Sequence, residues 1–174
     1  MKRKFFAAFL SLCMVMSLVP MTALAAPEDN AGTISAPTAS GKNFFANGTP
    51  ITITAAAPVG GTEAELDKAF TATGTSAYIS WDDNEITKYV GVSDKVSVYG
   101  GSDGSSKPVS VASTSITMTG GKVYNVYGGN LGKKAKDADS CSKVTGDVVM
   151  KFSGEAKVPN LLHGGGALDR KSVV

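Results

Sequence analysis

Cysteine is almost missing from this chain, and what little there is excludes a disulfide scaffold. Cys13 lies inside the apolar run near the N-terminus, and Cys141 has no second cysteine or histidine near it in sequence. Once the N-terminal run is removed no disulfide can form within the chain. Stability must then come from burial, and about 140 residues suffice for one core. An excess of charge of one sign is missing as well. The formal charge is +2, but Lys2, Arg3 and Lys4 stand ahead of the apolar run, and the chain beyond them carries −1. Setting aside Asp169, Arg170 and Lys171 leaves −2. Neither value favours nucleic acid or an anionic membrane surface as a partner.

A long apolar run occurs only at the N-terminus. Met1-Lys2-Arg3-Lys4 precedes the stretch Phe5 to Val19, and Ala23-Leu24-Ala25 has the small-x-small pattern of a signal peptidase site. Residues 1–25 are therefore expected to be a secretory signal peptide. The run is long enough for a retained anchor, but the cleavage pattern and Pro27 favour removal, which leaves no stable membrane span. Leu12 stands where a lipobox before Cys13 needs a small residue, so lipidation is not expected. At the other end, Asp169 to Val174 breaks the glycine-rich pattern without completing a strand. One reading frame of a widely used sequencing adapter encodes the same residues followed by a stop. Residues 169–174 are expected to be a non-native tail, with the natural chain running past Leu168.

Residues 26–48 are rich in Ala, Pro, Thr, Ser, Gly and Asn without an apolar period, and read as a flexible leader. Asn47-Gly48-Thr49 matches a glycosylation acceptor, but a turn before the strand Pro50 to Thr54 is the better reading. Residues 49–88 read as an N-terminal capping region. Within it, Thr62-Glu63-Ala64-Glu65 is a capping box, and Leu66, Ala69 and Phe70 share a face at helical spacing. One short helix is expected there, covering the first coil of a stack. Tyr78 to Trp81 and Glu85 to Val90 read as strands around an Asp82-Asp83-Asn84 turn. Asp82, Asp83, Asn84 and Glu85 offer hard oxygen donors, but their spacing does not fit an EF-hand loop, and no calcium site is assigned.

Residues 89–168 carry a repeated phrase. Lys95-Val96-Ser97-Val98-Tyr99-Gly100-Gly101 returns as Lys122-Val123-Tyr124-Asn125-Val126-Tyr127-Gly128-Gly129 and as Lys157-Val158-Pro159-Asn160-Leu161-Leu162-His163-Gly164-Gly165. Two of the phrases follow an alternating segment, Ser115 to Gly121 or Asp147 to Gly154, with Val148, Met150 and Phe152 on one face. Gly100 to Gly128 is 28 residues and Gly128 to Gly164 is 36, and the difference fits inside the polar excursion Asn130 to Gly146. Variable loops on a constant coil are the mark of a solenoid. The glycines suit a corner needing positive φ or close approach of neighbouring coils. Asn125 and Asn160 are expected to form a side-chain amide ladder.

Segments such as Ile116 to Gly129 resemble the glycine-rich repeats of large secreted surface proteins of Gram-positive bacteria, described as adhesin-like. The likeness covers about Tyr89 to Leu168. It departs at Pro159, at the extra residue before His163 and at the missing second glycine after Ser153. It implies a right-handed parallel β-helix and display at the cell surface, and it carries no catalytic residues across. The expected fold is thus all-β with one short helix, a fragment of a right-handed parallel β-helix or solenoid, with an antiparallel β-sandwich as the alternative.

Enzymatic readings find little support in the residues. Lys133, Lys134, Lys136, Asp137 and Asp139 share one polar loop and read as solvated rather than catalytic. His163 stands where earlier phrases have tyrosine and reads as a bulky corner residue, and Cys141 as an incidental thiol. Gly100 to Ser106 lacks the Gly-Lys-Ser/Thr ending and the helix of a phosphate loop. No residue is assigned a catalytic, cofactor-binding or metal-binding role, and no cofactor is expected. Tyr78, Trp81, Tyr89, Tyr99, Tyr124 and Tyr127 are the residues suited to stacking on sugar rings. The functional expectation is a non-enzymatic, secreted or cell-surface protein, structural or adhesive, with extracellular glycans or host-surface ligands as partners. The alternative is a carbohydrate-active β-helical lyase or hydrolase whose catalytic part is missing.

Overall fold

The computed structural model describes residues 34–66, 74–133 and 142–167. The expectations for the signal peptide, Ala69, Phe70, Lys134, Lys136, Asp137, Asp139, Cys141 and the tail lie outside the described residues. Within them the structure is built from strands without a helix, and hence without one long and apolar enough to cross a membrane.

The strands fall into three sheets. The first has five strands, β1 (Thr38–Ser40), β2 (Asn43–Phe45), β7 (Ser97–Tyr99), β10 (Asn125–Tyr127) and β13 (Leu161–His163), in that spatial order. The second has six, in the order β12 (Val148–Phe152), β9 (Thr114–Met118), β3 (Ile51–Thr54), β5 (Ala77–Asp83), β6 (Ile86–Val92) and β4 (Thr62–Glu63). The third pairs β8 (Ser110–Val111) with β11 (Lys143–Val144).

The repeated phrases pair side by side. Val98 stands opposite Val126 and Val126 opposite Leu162 in parallel register, and Phe44 joins the same row. Gly128 shows why the phrase ends in glycine. A methyl group there would collide with the Gly164 carbonyl oxygen and with Val148 Cγ1, and would lie 3.0 Å from Met150 Sδ. Close approach is the constraint at Gly128, whereas Gly121, at the corner after β9, meets the other one with φ of 80°.

These observations correct the expected fold. A parallel β-helix needs parallel pairing throughout, but β1 folds back antiparallel on β2, and β3, β5 and β6 form an antiparallel run inside the six-stranded sheet. The cause is local turn chemistry. Asn84 and Glu85 both take positive φ, 50° and 68°, which is the two-residue turn whose twist suits an antiparallel hairpin. The result is three small mixed sheets. The two larger ones share one core of Phe44, Ile51, Ile53, Ile79, Trp81, Val92, Val98, Ile116, Met118, Val123 and Val126, all buried. Two sheets about one core is the feature that the sandwich alternative anticipated, although the strands are not all antiparallel.

The expected helix is also corrected. Thr62 and Glu63 lie in β4, paired parallel with Lys88 and Tyr89 of β6, and the Ala64 amide donates to the Tyr89 carbonyl at 2.7 Å. The open edge of β6 takes the amide that a helical turn would have used. A capping box is local information, and a sheet edge outweighs it.

Candidate functional site: the outer face of the six-stranded sheet

Alternation along the strands sends one set of side chains to the core and the other to solvent. On β3, Ile51 and Ile53 are buried while Thr52 and Thr54 are half-buried; on β5, Ala77, Ile79 and Trp81 are buried while Tyr78 and Ser80 are not. On β9, Ile116 and Met118 face inward and Ser115 and Thr117 outward. Register then aligns the outward residues. Lys151 stands opposite Thr117, Thr117 opposite Thr52, Thr52 opposite Ser80, Ser80 opposite Tyr89, and Tyr89 opposite Glu63. One row crosses all six strands, and at the spacing of neighbouring strands it is about 24 Å long.

The row has a cation at one end, an acid at the other, and hydroxyls between. Ser80 Oγ donates to the Thr52 carbonyl at 3.3 Å, which holds its oxygen lone pairs outward. The hydroxyls of Thr52 and Thr117 carry no hydrogen bond among the described residues, so both are available to a ligand as donor and acceptor. Tyr89, within the row, meets Tyr78 edge to face, with ring centroids 6.0 Å apart and planes at 66°. An edge-to-face pair fixes both rings and leaves ring area beside the hydroxyls.

Not every aromatic expected at the surface is there. Trp81 is buried, its ring 6.0 Å from Phe44 across the core. Tyr99 is buried between Phe45 and Tyr127, at centroid distances of 5.1 Å and 4.7 Å, the latter pair nearly coplanar at 8°. Burial pushes the Tyr99 hydroxyl up to about 12, and the neighbouring Tyr127 and Asp103 add to the rise. Both residues are structural. Tyr124 is exposed, on the turn before β10, away from the hydroxyl row. Trp81 still borders a groove of about 200 Å³ with Ile34, Ala36, Pro37, Thr49, Asp82 and Asp83.

The remaining candidates resolve into structural roles. His163 pairs opposite Tyr127 and its Nδ1 accepts from the Gly165 amide at 3.1 Å, the role of a residue closing a corner. In the glycine run after Tyr99, the Ser102 amide donates to Asn130 Oδ1 at 2.8 Å and the Ser105 amide to Asp103 Oδ1 at 2.9 Å. Those amides are not aimed at a phosphate. Asn47 is buried, and its Nδ2 donates to the Ala36 carbonyl at 2.8 Å and to Thr38 Oγ1 at 3.1 Å, so the folded chain does not present it for glycosylation. Its φ of 53° confirms the turn. At the β5–β6 turn, Asp82 accepts from Thr87 Oγ1 and Asp83 from Asn84 Nδ2, each at 3.1 Å. No group of three or more His, Cys, Asp or Glu able to hold a metal ion is present among the described residues.

The hydroxyl row was missed by sequence reasoning, although its parts were visible. Ile51-Thr52-Ile53-Thr54 and Ser115-Ile116-Thr117-Met118 each show period two, but their adjacency depends on a pairing between segments more than 60 residues apart. No protein-family model, curated protein or solved structure matches the chain.

Proposed function

We propose that this is a secreted, non-enzymatic surface protein with a structural or adhesive role, whose six-stranded sheet binds extracellular glycans on its outer face. The observation that carries the reading is the ring pair Tyr78 and Tyr89 set next to the run of hydroxyls Ser80, Thr52 and Thr117 across three neighbouring strands. Aromatic rings offer an apolar face to the C–H side of a sugar, and threonine and serine hydroxyls meet its equatorial hydroxyls as donor and acceptor. A flat, open row suits a chain of sugar units rather than a single enclosed one. The N-terminal signal pattern, with its small-x-small cleavage site, supports export.

The test is a glycan-array screen of the chain after signal cleavage, alongside Tyr78→Ala and Tyr89→Ala. Binding to one or more glycans is expected, with each substitution lowering affinity by about tenfold, within the range for losing an aromatic contact. No signal above background for the unmodified chain would end the glycan reading, as would binding that survives both substitutions together.

A further inference from the structure

The charges of the six-stranded sheet are unevenly divided. Its strands carry two cations, Lys88 and Lys151, and three acids, Glu63, Asp82 and Asp83. Pairing assigns each to a face. Lys88 stands opposite the buried Trp81 and Asp83 opposite Ile86, on the side that Ile79 and Val90 turn to the core. Asp82 stands opposite Thr87 on the outer face, in line with Ser80, and Glu63 stands opposite Tyr89. Both of these acids are exposed. Lys151, the cation that these strands turn outward, is four strands from Tyr89, a distance of about 19 Å. Salt screens exposed charges so far apart. The tyrosine end of the row is therefore negative.

Local structure sets the two acids on either side of the Tyr89 ring. The Pro58 carbonyl accepts from the Gly61 amide at 3.2 Å, closing a turn in which Gly60 takes φ of 75°. The chain leaves that turn along β6, and a methyl group at Gly61 would come within 2.9 Å of Tyr89 Cδ1. The ring thus takes the space that a side chain at residue 61 would need, two residues before Glu63 and on the same face. Across β5 the ring has a second acidic neighbour. Tyr89 is paired with Ser80, so Asp82 is its diagonal partner, and such partners stand about 7–8 Å apart. Neither carboxylate is in an ion pair among the described residues. Asp82 accepts one hydrogen bond, from Thr87 Oγ1, and a carboxylate can accept several.

We propose that the ligand of this face is a cationic glycan, one whose sugar units carry free amino groups. This rests on the glycan reading of the same face and adds the charge that the face selects. An ammonium group beside Tyr89 donates charge-assisted hydrogen bonds to Glu63 or Asp82 and is attracted to the face of the ring. The neighbouring hydroxyls of Ser80 and Thr52 then meet those of the sugar. N-acetylation removes the charge and with it both attractions. A uronic acid unit in the same place sets a third negative charge beside two carboxylates.

Calorimetric titration of the chain after signal cleavage tests this with three probes of equal length: a glucosamine oligomer with protonated amines, its N-acetylated counterpart and a uronic acid oligomer. The glucosamine oligomer is expected to bind about tenfold more tightly than the N-acetylated one, the worth of one hydrogen bond to a charged group. The uronic acid oligomer is expected to bind most weakly. The preference should shrink as salt rises. Glu63→Gln and Asp82→Asn should each lower the ratio of the first two affinities, and together bring those affinities level. Asp103→Asn, in the glycine run after the five-stranded sheet, should leave the ratio as it is. Equal binding of the two glucosamine probes, or tighter binding of the uronic acid oligomer, overturns the inference and leaves the glycan reading standing. A ratio that falls as far with Asp103→Asn also overturns it, by assigning the preference to net charge. Binding on an array confined to neutral or acidic glycans overturns this inference alone, whereas an array without signal ends both.

Discussion

The two larger sheets each turn one face to the shared core and one face away from it, and they use the outward face differently. In the five-stranded sheet the outward row is Phe45, Tyr99, Tyr127 and His163, and its first three members stack ring on ring. Exposure rises along the row, from 1% at Phe45 and 5% at Tyr99 to an exposed His163. In the six-stranded sheet the outward row is Lys151, Thr117, Thr52, Ser80, Tyr89 and Glu63, and each of its members keeps contact with solvent. In-register pairing, parallel in the first row and both parallel and antiparallel in the second, sets like side chains side by side across strands. When the side chain is a flat ring the row covers itself and becomes packing; when it is a short hydroxyl the row remains a surface.

Substitutions can break this contrast. The largest effect is expected for Tyr99→Ala, which opens a gap between two stacked rings and should cost about 3–5 kcal/mol in denaturant unfolding. Tyr89→Ala, at the matching place on the other face, should cost no more than about 1 kcal/mol while lowering glycan affinity by about tenfold. Equal losses from the two would mean that both rows are packing. A second comparison sharpens the role of the phrase endings. Gly128→Ala forces a methyl against the neighbouring phrase and should destabilise by about 1–3 kcal/mol, whereas Gly164→Ala meets nothing within 4 Å and should change stability by less than about 0.5 kcal/mol.

A smaller effect tests the polar ladder that accompanies the aromatic one. Asn125 is buried, donates to Ser97 Oγ at 2.9 Å and accepts from Asn160 Nδ2 at 2.7 Å. Asn125→Ala leaves the buried Ser97 hydroxyl without its partner, while the exposed Asn160 amide can turn to water, and should cost about 1–2 kcal/mol by thermal or chemical unfolding. The smallest effect at neutral pH, visible only in alkali, concerns Tyr99. Its folded-state value near 12 lies above the unfolded value of about 10. Stabilisation from the neutral hydroxyl is therefore complete below pH of about 10 and is lost as pH rises through about 12. Tyr99→Phe, which cannot ionise, should move the alkaline unfolding midpoint upward; an unchanged midpoint would show that Tyr99 is not the group that titrates.

Much of this was legible in the chain because it is local or repetitive. The period-two runs at Ile51–Thr54, Ala77–Trp81 and Thr114–Met118 mark which residues face the core, since a strand has only two faces. The 28-residue spacing places Ser97 opposite Asn125, and the amide ladder expected at Asn125 and Asn160 is present. It is reached by a different register from the one the phrases suggest. Leu161, not Asn160, stands opposite Asn125, because the extra residue after Val158 shifts the last phrase by one.

What escaped sequence reasoning depends on distant partners. Trp81 and Tyr99 carry the same apparent credentials for a surface as Tyr78 and Tyr89, and only packing against Phe44 and Phe45 separates them. The capping-box residues became a strand because the edge of β6 lay within reach.

By itself, then, the sequence determined the alternation of its strands and the parallel pairing of the repeated phrases, because each follows from the backbone's own geometry and from a pattern repeated along the chain. Tertiary structure decided the mixed sheets, the loss of the expected helix, and the split of one set of tyrosines into a buried stack and an exposed pair. Those outcomes turn on which sheet edge and which face lie nearby, and that distance is set only once the whole chain has folded.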